Sequence, residues 1–237
     1  MGMFSVEARD SVRVHRNRKN IIKLNLTALA IYQSGPLIEY ERVTWKNQSF
    51  SVQLGYVTLP FGSNSTRDKL NLQSDVKKSG YTATVDYRFY LKSENKDPAP
   101  HGVYIGPYVS YYHFRNERDV TFTNSSGVSS DVLRLNTNVD VFNIGVQLGY
   151  QFVLGKRWTI DCILLAPSIS NYKVKIEIDG NASKENLTDY QQEVLQALVD
   201  KYPALGSLAG DKVYTFNGRL DTWAPCVRYS IHLGFRF

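Results

Sequence analysis

Residues 227–237 alternate without a break: Val227, Tyr229, Ile231, Leu233, Phe235 and Phe237 are apolar, while Arg228, Ser230, His232, Gly234 and Arg236 between them are polar or small. An extended strand, whose successive side chains point to opposite faces, turns such a sequence into one apolar and one polar surface. The same two-residue period recurs at 20–33, 49–59, 81–91 and 141–153. In the first of these, Ile22, Leu24, Leu26, Ala28, Ala30 and Tyr32 oppose Lys23, Asn25 and Thr27. Less regular segments at 37–45, 102–114 and 157–172 bring the predicted strands to eight, with aromatic residues on both faces of 102–114. In 157–172 the alternation assigns Trp158, Ile160, Cys162, Leu164 and Ala166 to one side, and Thr159 and Asp161 to the other.

The chain of 237 residues holds no apolar run near the roughly 20 residues of a membrane-spanning helix, and its mean hydropathy is −0.31. A content of 16 Tyr and 11 Phe favours sheet over helix. Two all-β arrangements fit. In soluble sandwiches and lipocalin-like barrels the apolar face turns inward; in a membrane barrel it turns outward to lipid. The apolar faces here are rich in Tyr, Phe and Trp near strand ends, as interfacial girdles are. The polar faces are small and hydrogen-bonding rather than Lys- and Glu-rich, which suits a narrow lumen. The connections also alternate in length: those at 35–36, 46–48, 92–101 and 154–156 are modest, and those at 62–79, 115–138 and 173–212 are long. These patterns predict an all-β fold, an eight-stranded antiparallel transmembrane β-barrel over 20–237. Both termini then lie in the periplasm and the long loops outside the cell. Lipid offers no hydrogen-bond partners, so only a closed sheet crosses it, and eight strands leave room only for side chains inside. The predicted lumen holds Lys23, Glu39, Glu41, Asp86, Arg88, Asp161, Arg228 and His232, read as a mutually neutralising polar plug with no open pore.

Phe237, closing the strand Leu233-Gly234-Phe235-Arg236-Phe237, resembles the signal that the barrel-assembly machinery of Gram-negative bacteria reads, with Phe235 and Phe237 its aromatic residues. The stretch 145–172, GVQLGYQFVLGKRWTIDCILLAPSISNY, resembles a family of small outer-membrane β-barrels from Bacteroidota catalogued as a domain of unknown function. The resemblance rests on the Gly-rich strand, the turn Leu154-Gly155-Lys156-Arg157-Trp158, the acid Asp161 and the final strand. It departs at Cys162-Ile163, where the family is aromatic, and at Pro225-Cys226. It implies an outer-membrane location and a helical insertion before the last strand, and brings no activity.

That insertion is visible in the residues. Leu187, Tyr190, Val194, Leu195, Leu198, Val199 and Tyr202 recur at helical spacing, Thr188 with Gln191 resembles a capping box, and Pro203 supplies a stop. The sequence predicts an amphipathic helix at about 188–202 within the outer loop 173–212. Its stripe of Leu187, Tyr190, Val194, Leu195, Leu198 and Tyr202 either lids the barrel or docks another membrane protein or lipopolysaccharide.

Other chemistry is sparse. Ser230 and His232 share a face near Asp161, an arrangement similar to that of one type of lipid A-modifying barrel enzyme. Here the pair lies on the lumen side and no oxyanion-hole motif accompanies it, so no catalytic residues are assigned. His15, His101 and His113 are dispersed, no metal site is assigned, and no cofactor is expected. Cys162 and Cys226 fall on opposite faces, which predicts two free thiols. Lys and Arg exceed Asp and Glu, 28 against 22, without the clustered basic surface that nucleic acid requires. Residues 1–19, with Arg13, Arg16, Arg18 and Lys19, read as a flexible basic periplasmic segment, and Val6-Glu7-Ala8 resembles the end of a cleaved signal. The expected partners are outer-membrane lipid and lipopolysaccharide, the assembly machinery during biogenesis, and a larger outer-membrane complex. The expected role is structural or accessory, with a lipid-modifying enzyme and a soluble ligand-binding barrel as alternatives.

Overall fold

A computed structural model describes residues 18–31, 35–58, 66–67, 70–91, 99–123, 129–179 and 219–237. The chain forms β1 (Asn20–Asn25), a short helix α1 (Leu26–Ile31), β2 (Leu37–Trp45), β3 (Gln48–Tyr56), the two-residue β4 (Thr66–Arg67), β5 (Leu70–Tyr90), β6 (Gly102–Thr123), β7 (Ser129–Leu154), β8 (Trp158–Asp179) and β9 (Arg219–Arg236). β4 pairs only with the start of β5. The other eight strands form an antiparallel ring, closed by the pairings of β3 with β5 and of β1 with β9. Hydrogen-bonded partners lead from Leu24 through Ile38, Leu54, Ala83, Tyr111, Phe142 and Asn171 to Trp223. Leu24 itself pairs with Leu233, ten residues further along β9. That stagger is the shear of a barrel with strongly tilted strands.

Burial follows the inverted pattern. Ile144 is 53% exposed and Tyr229 65% on the outer surface, whereas Arg88 and Asp161 are wholly buried within the ring. Trp45, Trp158, Phe152 and Phe237 mark one end of the apolar band, and Tyr56, Tyr81 and Trp223 the other. Among the described residues no helix is long and apolar enough to cross a membrane. The start of β1 and the end of β9 meet at one rim, where the Phe237 N–H donates to the Asn20 carbonyl at 2.9 Å. The turns at 46–47 and 155–157 share that rim.

The structure departs from the sequence reading in three places. The first strand stops at Asn25 instead of running to 33, because the Asn25 side chain accepts the Ala28 N–H at 2.8 Å and caps a run of good helix formers. α1 then packs Ala28 into the mouth of the ring against Leu37, Val57 and Phe114. The segments 62–79, 115–138 and 173–212 are not wholly loop: β5, β6, β7 and β8 run on through parts of them. Exposed pairs such as Arg115 with Glu117 and Lys175 with Glu177 line these extensions. The hydrogen bond from Lys175 holds the Glu177 carboxyl below its ordinary range. Finally, β8 carries one extra residue between Ile163 and Ala166. Leu164 and Leu165 both face outward, and Ala166, assigned by simple alternation to the outer side, is fully buried inside. A bulge accommodates two residues opposite one and resets the parity of everything beyond it. The expected helix at 188–202 lies outside the described residues, as does all of the N-terminal segment except Arg18 and Lys19.

Candidate functional site

Strand parity drives charged residues into the ring, and the ring is narrow enough for them to meet. Lys23 on β1, Glu39 and Glu41 on β2, Asp86 and Arg88 on β5, Asp161 on β8 and His232 on β9 converge, all buried. The Lys23 ammonium lies 2.6 Å from Asp161 Oδ2, 2.7 Å from Glu41 Oε2 and 3.1 Å from Glu39 Oε1. The Arg88 guanidinium spreads over three carboxylates: Nε to Asp86 Oδ1 at 2.6 Å, Nη1 to Asp161 Oδ2 at 2.6 Å, and Nη2 to Glu39 Oε1 at 2.8 Å. Its planar fork suits that bridging in a way a lysine ammonium does not.

Neutral donors complete the carboxylates. Tyr104 donates to Asp161 Oδ1 at 2.7 Å, Ser51 to Asp86 Oδ2 at 2.5 Å, and Ser49 and Tyr90 to Glu41 Oε1 at 2.5 and 2.9 Å. The Gln151 amide donates to Glu41 Oε2 at 3.1 Å. Buried charges persist only when paired and hydrogen-bonded, and each of the four acids here has a cation and at least one more donor, or two cations. His232 sits beside them, its Nδ1 3.7 Å from both Glu39 and Asp161 and its Nε2 3.3 Å from the Gln53 amide. Glu39, Asp161 and His232 are close enough to surround a metal ion. Lys23 and Arg88 already hold Asp161 Oδ2, both at 2.6 Å, so the donor set is that of an ion-pair network and fits a divalent cation poorly.

Below the network, Val43, Tyr90, Ala99 and Tyr104 form an apolar layer. Above it lie Tyr108, Ile163 and Ala166, and beyond them the α1 cluster. Arg228, grouped with the plug by sequence, stands apart: it donates to Gln147 Oε1 at 3.0 Å and covers the Tyr108 ring at 4.3 Å. Tyr90, Tyr104 and Gln151 are participants that sequence reasoning did not single out. Their signal was parity alone, since each shares the inward face with charged residues. Both cysteines are free; Cys162 faces outward and Cys226 inward. Ser230 is buried in the lumen, with no hydrogen-bond partner for its hydroxyl. At the closing rim, Phe235 packs edge-on to Trp158, and Phe237 lies on the outer surface.

A family described as "Protein of unknown function (DUF3575)" matches residues 4–186. The chain belongs to that family. The matched segment contains six network residues, Lys23, Glu39, Glu41, Asp86, Arg88 and Asp161, and ends before the last strand with its Arg228, His232 and terminal aromatics. No curated protein matches the chain. Among solved structures, it is similar to a major outer membrane protein from Thermus thermophilus (10% identity, 94% of this chain and 100% of that chain covered, TM-score 0.38). It is also similar to Acinetobacter baumannii CarO2 (10% identity, 93% and 98% covered, TM-score 0.43) and CarO (9% identity, 94% and 99% covered, TM-score 0.40).

Proposed function

We propose that this DUF3575 member is an integral outer-membrane β-barrel with a lumen closed to ions, acting as a structural or accessory protein attached to a larger outer-membrane complex. The buried ion-pair network carries the reading. Two cations and four carboxylates interlock across the lumen, with apolar layers on both sides, and an ion in transit would have to break several charge-assisted bonds at once. The closed ring and its outward apolar band support a membrane location, because lipid accepts a sheet only without edges. The meeting of the first residue of β1 with Phe237 at the rim of short turns supports a periplasmic placement for that rim. A lipid-directed enzyme has less support: His232 is buried beside Glu39 and Asp161 with its Nε2 on the Gln53 amide, and Ser230 faces the interior, away from acyl chains.

The test is purification of the native protein from outer membranes in mild detergent, with particle mass and identification of co-eluting chains. A stoichiometric larger partner is the expected result. A lone particle of 27.0 kDa plus detergent overturns the accessory role. A lipid A profile altered by Ser230→Ala or His232→Ala returns the enzymatic reading.

A further inference from the structure

The lumen treats its charges in two ways. The acids of the plug are each held by a cation, but Arg228 has none of them: among the described residues no carboxylate lies within ion-pair distance of its guanidinium. Its Nη2 is spent on the Gln147 carbonyl oxygen at 3.0 Å and its plane covers the Tyr108 ring. Its Nε has no acceptor, and neither the Gln147 amide nitrogen nor the Ser230 hydroxyl has a partner. Gln147 is 1% exposed and Ser230 5%, so these groups are not facing bulk water. Ser230 is the next inward residue below Arg228 on β9, and Gln147 is tied to Arg228 by its own amide. Three of the buried groups without a partner, Arg228 Nε, the Gln147 amide nitrogen and the Ser230 hydroxyl, thus lie together on one wall of the ring, around a cation with no carboxylate among the described residues.

Leaving a buried donor unsatisfied costs about 1–3 kcal/mol, more for a charged group, and native structures keep few such groups. A guanidinium edge, an amide N–H and a hydroxyl are the donors that recognise a carboxylate or phosphate group. We propose that Arg228, Gln147 and Ser230 form a binding site for a small oxyanion inside the barrel, above the plug. The plug restricts the anion to this position: its four carboxylates outnumber Lys23 and Arg88 and repel a further negative charge from the space around His232. The partly buried guanidinium of Arg228 gives the anion its approach from the outer end.

The experiment uses the full chain folded in detergent, titrated separately with sodium acetate and sodium phosphate at constant ionic strength held with chloride. Binding is read by calorimetry and by the unfolding temperature. Saturable binding of one or both anions is expected, with acetate and phosphate separating the carboxylate from the phosphate form of the ligand. Arg228→Gln is expected to weaken it at least tenfold. Gln147→Glu places a carboxylate against the guanidinium, so it is expected to abolish binding while the barrel stays folded, and it serves where Arg228→Gln fails to assemble. Absence of saturable binding to the wild type overturns the proposal, as does unchanged affinity in a folded Arg228→Gln or Gln147→Glu barrel.

Discussion

Arg88→Met removes the most heavily shared cation of the plug. The side chain loses three charge-assisted bonds of 2.6, 2.6 and 2.8 Å to Asp86, Asp161 and Glu39, together with its stacking 4.8 Å above Tyr104. Among the described residues, Lys23 is then the only full cation in contact with Glu39, Glu41 and Asp161, and Asp86 is left with none. Removing one partner of a buried ion pair costs about 3–5 kcal/mol, because the other charge stays buried and uncompensated. At about 1.4 kcal/mol per factor of ten, the folding equilibrium shifts roughly a hundredfold to several thousandfold. Arg88→Lys keeps the charge but loses the fork and is expected to cost less, about 1–3 kcal/mol. The assay is urea unfolding of the barrel in lipid vesicles, followed by fluorescence of Trp45, Trp158 and Trp223, all of them exposed on the outer surface. An Arg88→Met barrel within about 0.5 kcal/mol of wild type, the scale of an ordinary surface change, would refute the reasoning.

Gly106 lies against β5, and a Cβ built there falls 1.7 Å from the Tyr87 carbonyl oxygen; Gly106→Ala is expected to abolish the heat-modifiable folded band on gels, since backbone rather than a flexible side chain stands in the way. Ile144→Arg puts a charge on the lipid-facing surface and is expected to cost about 2–4 kcal/mol if that position lies near the bilayer midplane, measured by the same unfolding titration. Deleting Leu164 removes the extra residue of the bulge and leaves Ile163 inward, Leu165 outward and Ala166 inward in strict alternation. Assembly is expected to survive, whereas in a strand without the bulge the same deletion would exchange inward and outward faces along one part of β8, so loss of the folded band contradicts the bulge.

The strand faces were legible because an apolar belt and a polar lumen both depend on a period of two, which residues 81–91 and 227–237 keep strictly. Residues 102–114 were ambiguous for a physical reason. Tyr104 and Tyr108 point inward, their rings filling the lumen while their hydroxyls bond Asp161 and the Ala166 carbonyl, so aromatic character does not mark the outer face there. The end of β1 was hidden because Leu26, Ala28 and Ala30 suit an alternating strand and a helix alike; the Asn25 cap decides between them. Charged members of the plug could be assigned from parity, but their partners could not. Which acid Arg88 meets depends on shear, and Arg228 falls out of the network because β9 rises past the level of the other charges. That separation leaves no trace in residues read one strand at a time.

The most direct measurement is single-channel recording after the purified barrel is inserted into a planar lipid bilayer, with insertion verified by protection of the apolar band from soluble labels. The closed lumen predicts a flat current at moderate voltage. Reproducible unitary conductance steps from the wild-type chain would contradict a plug that fills the ring.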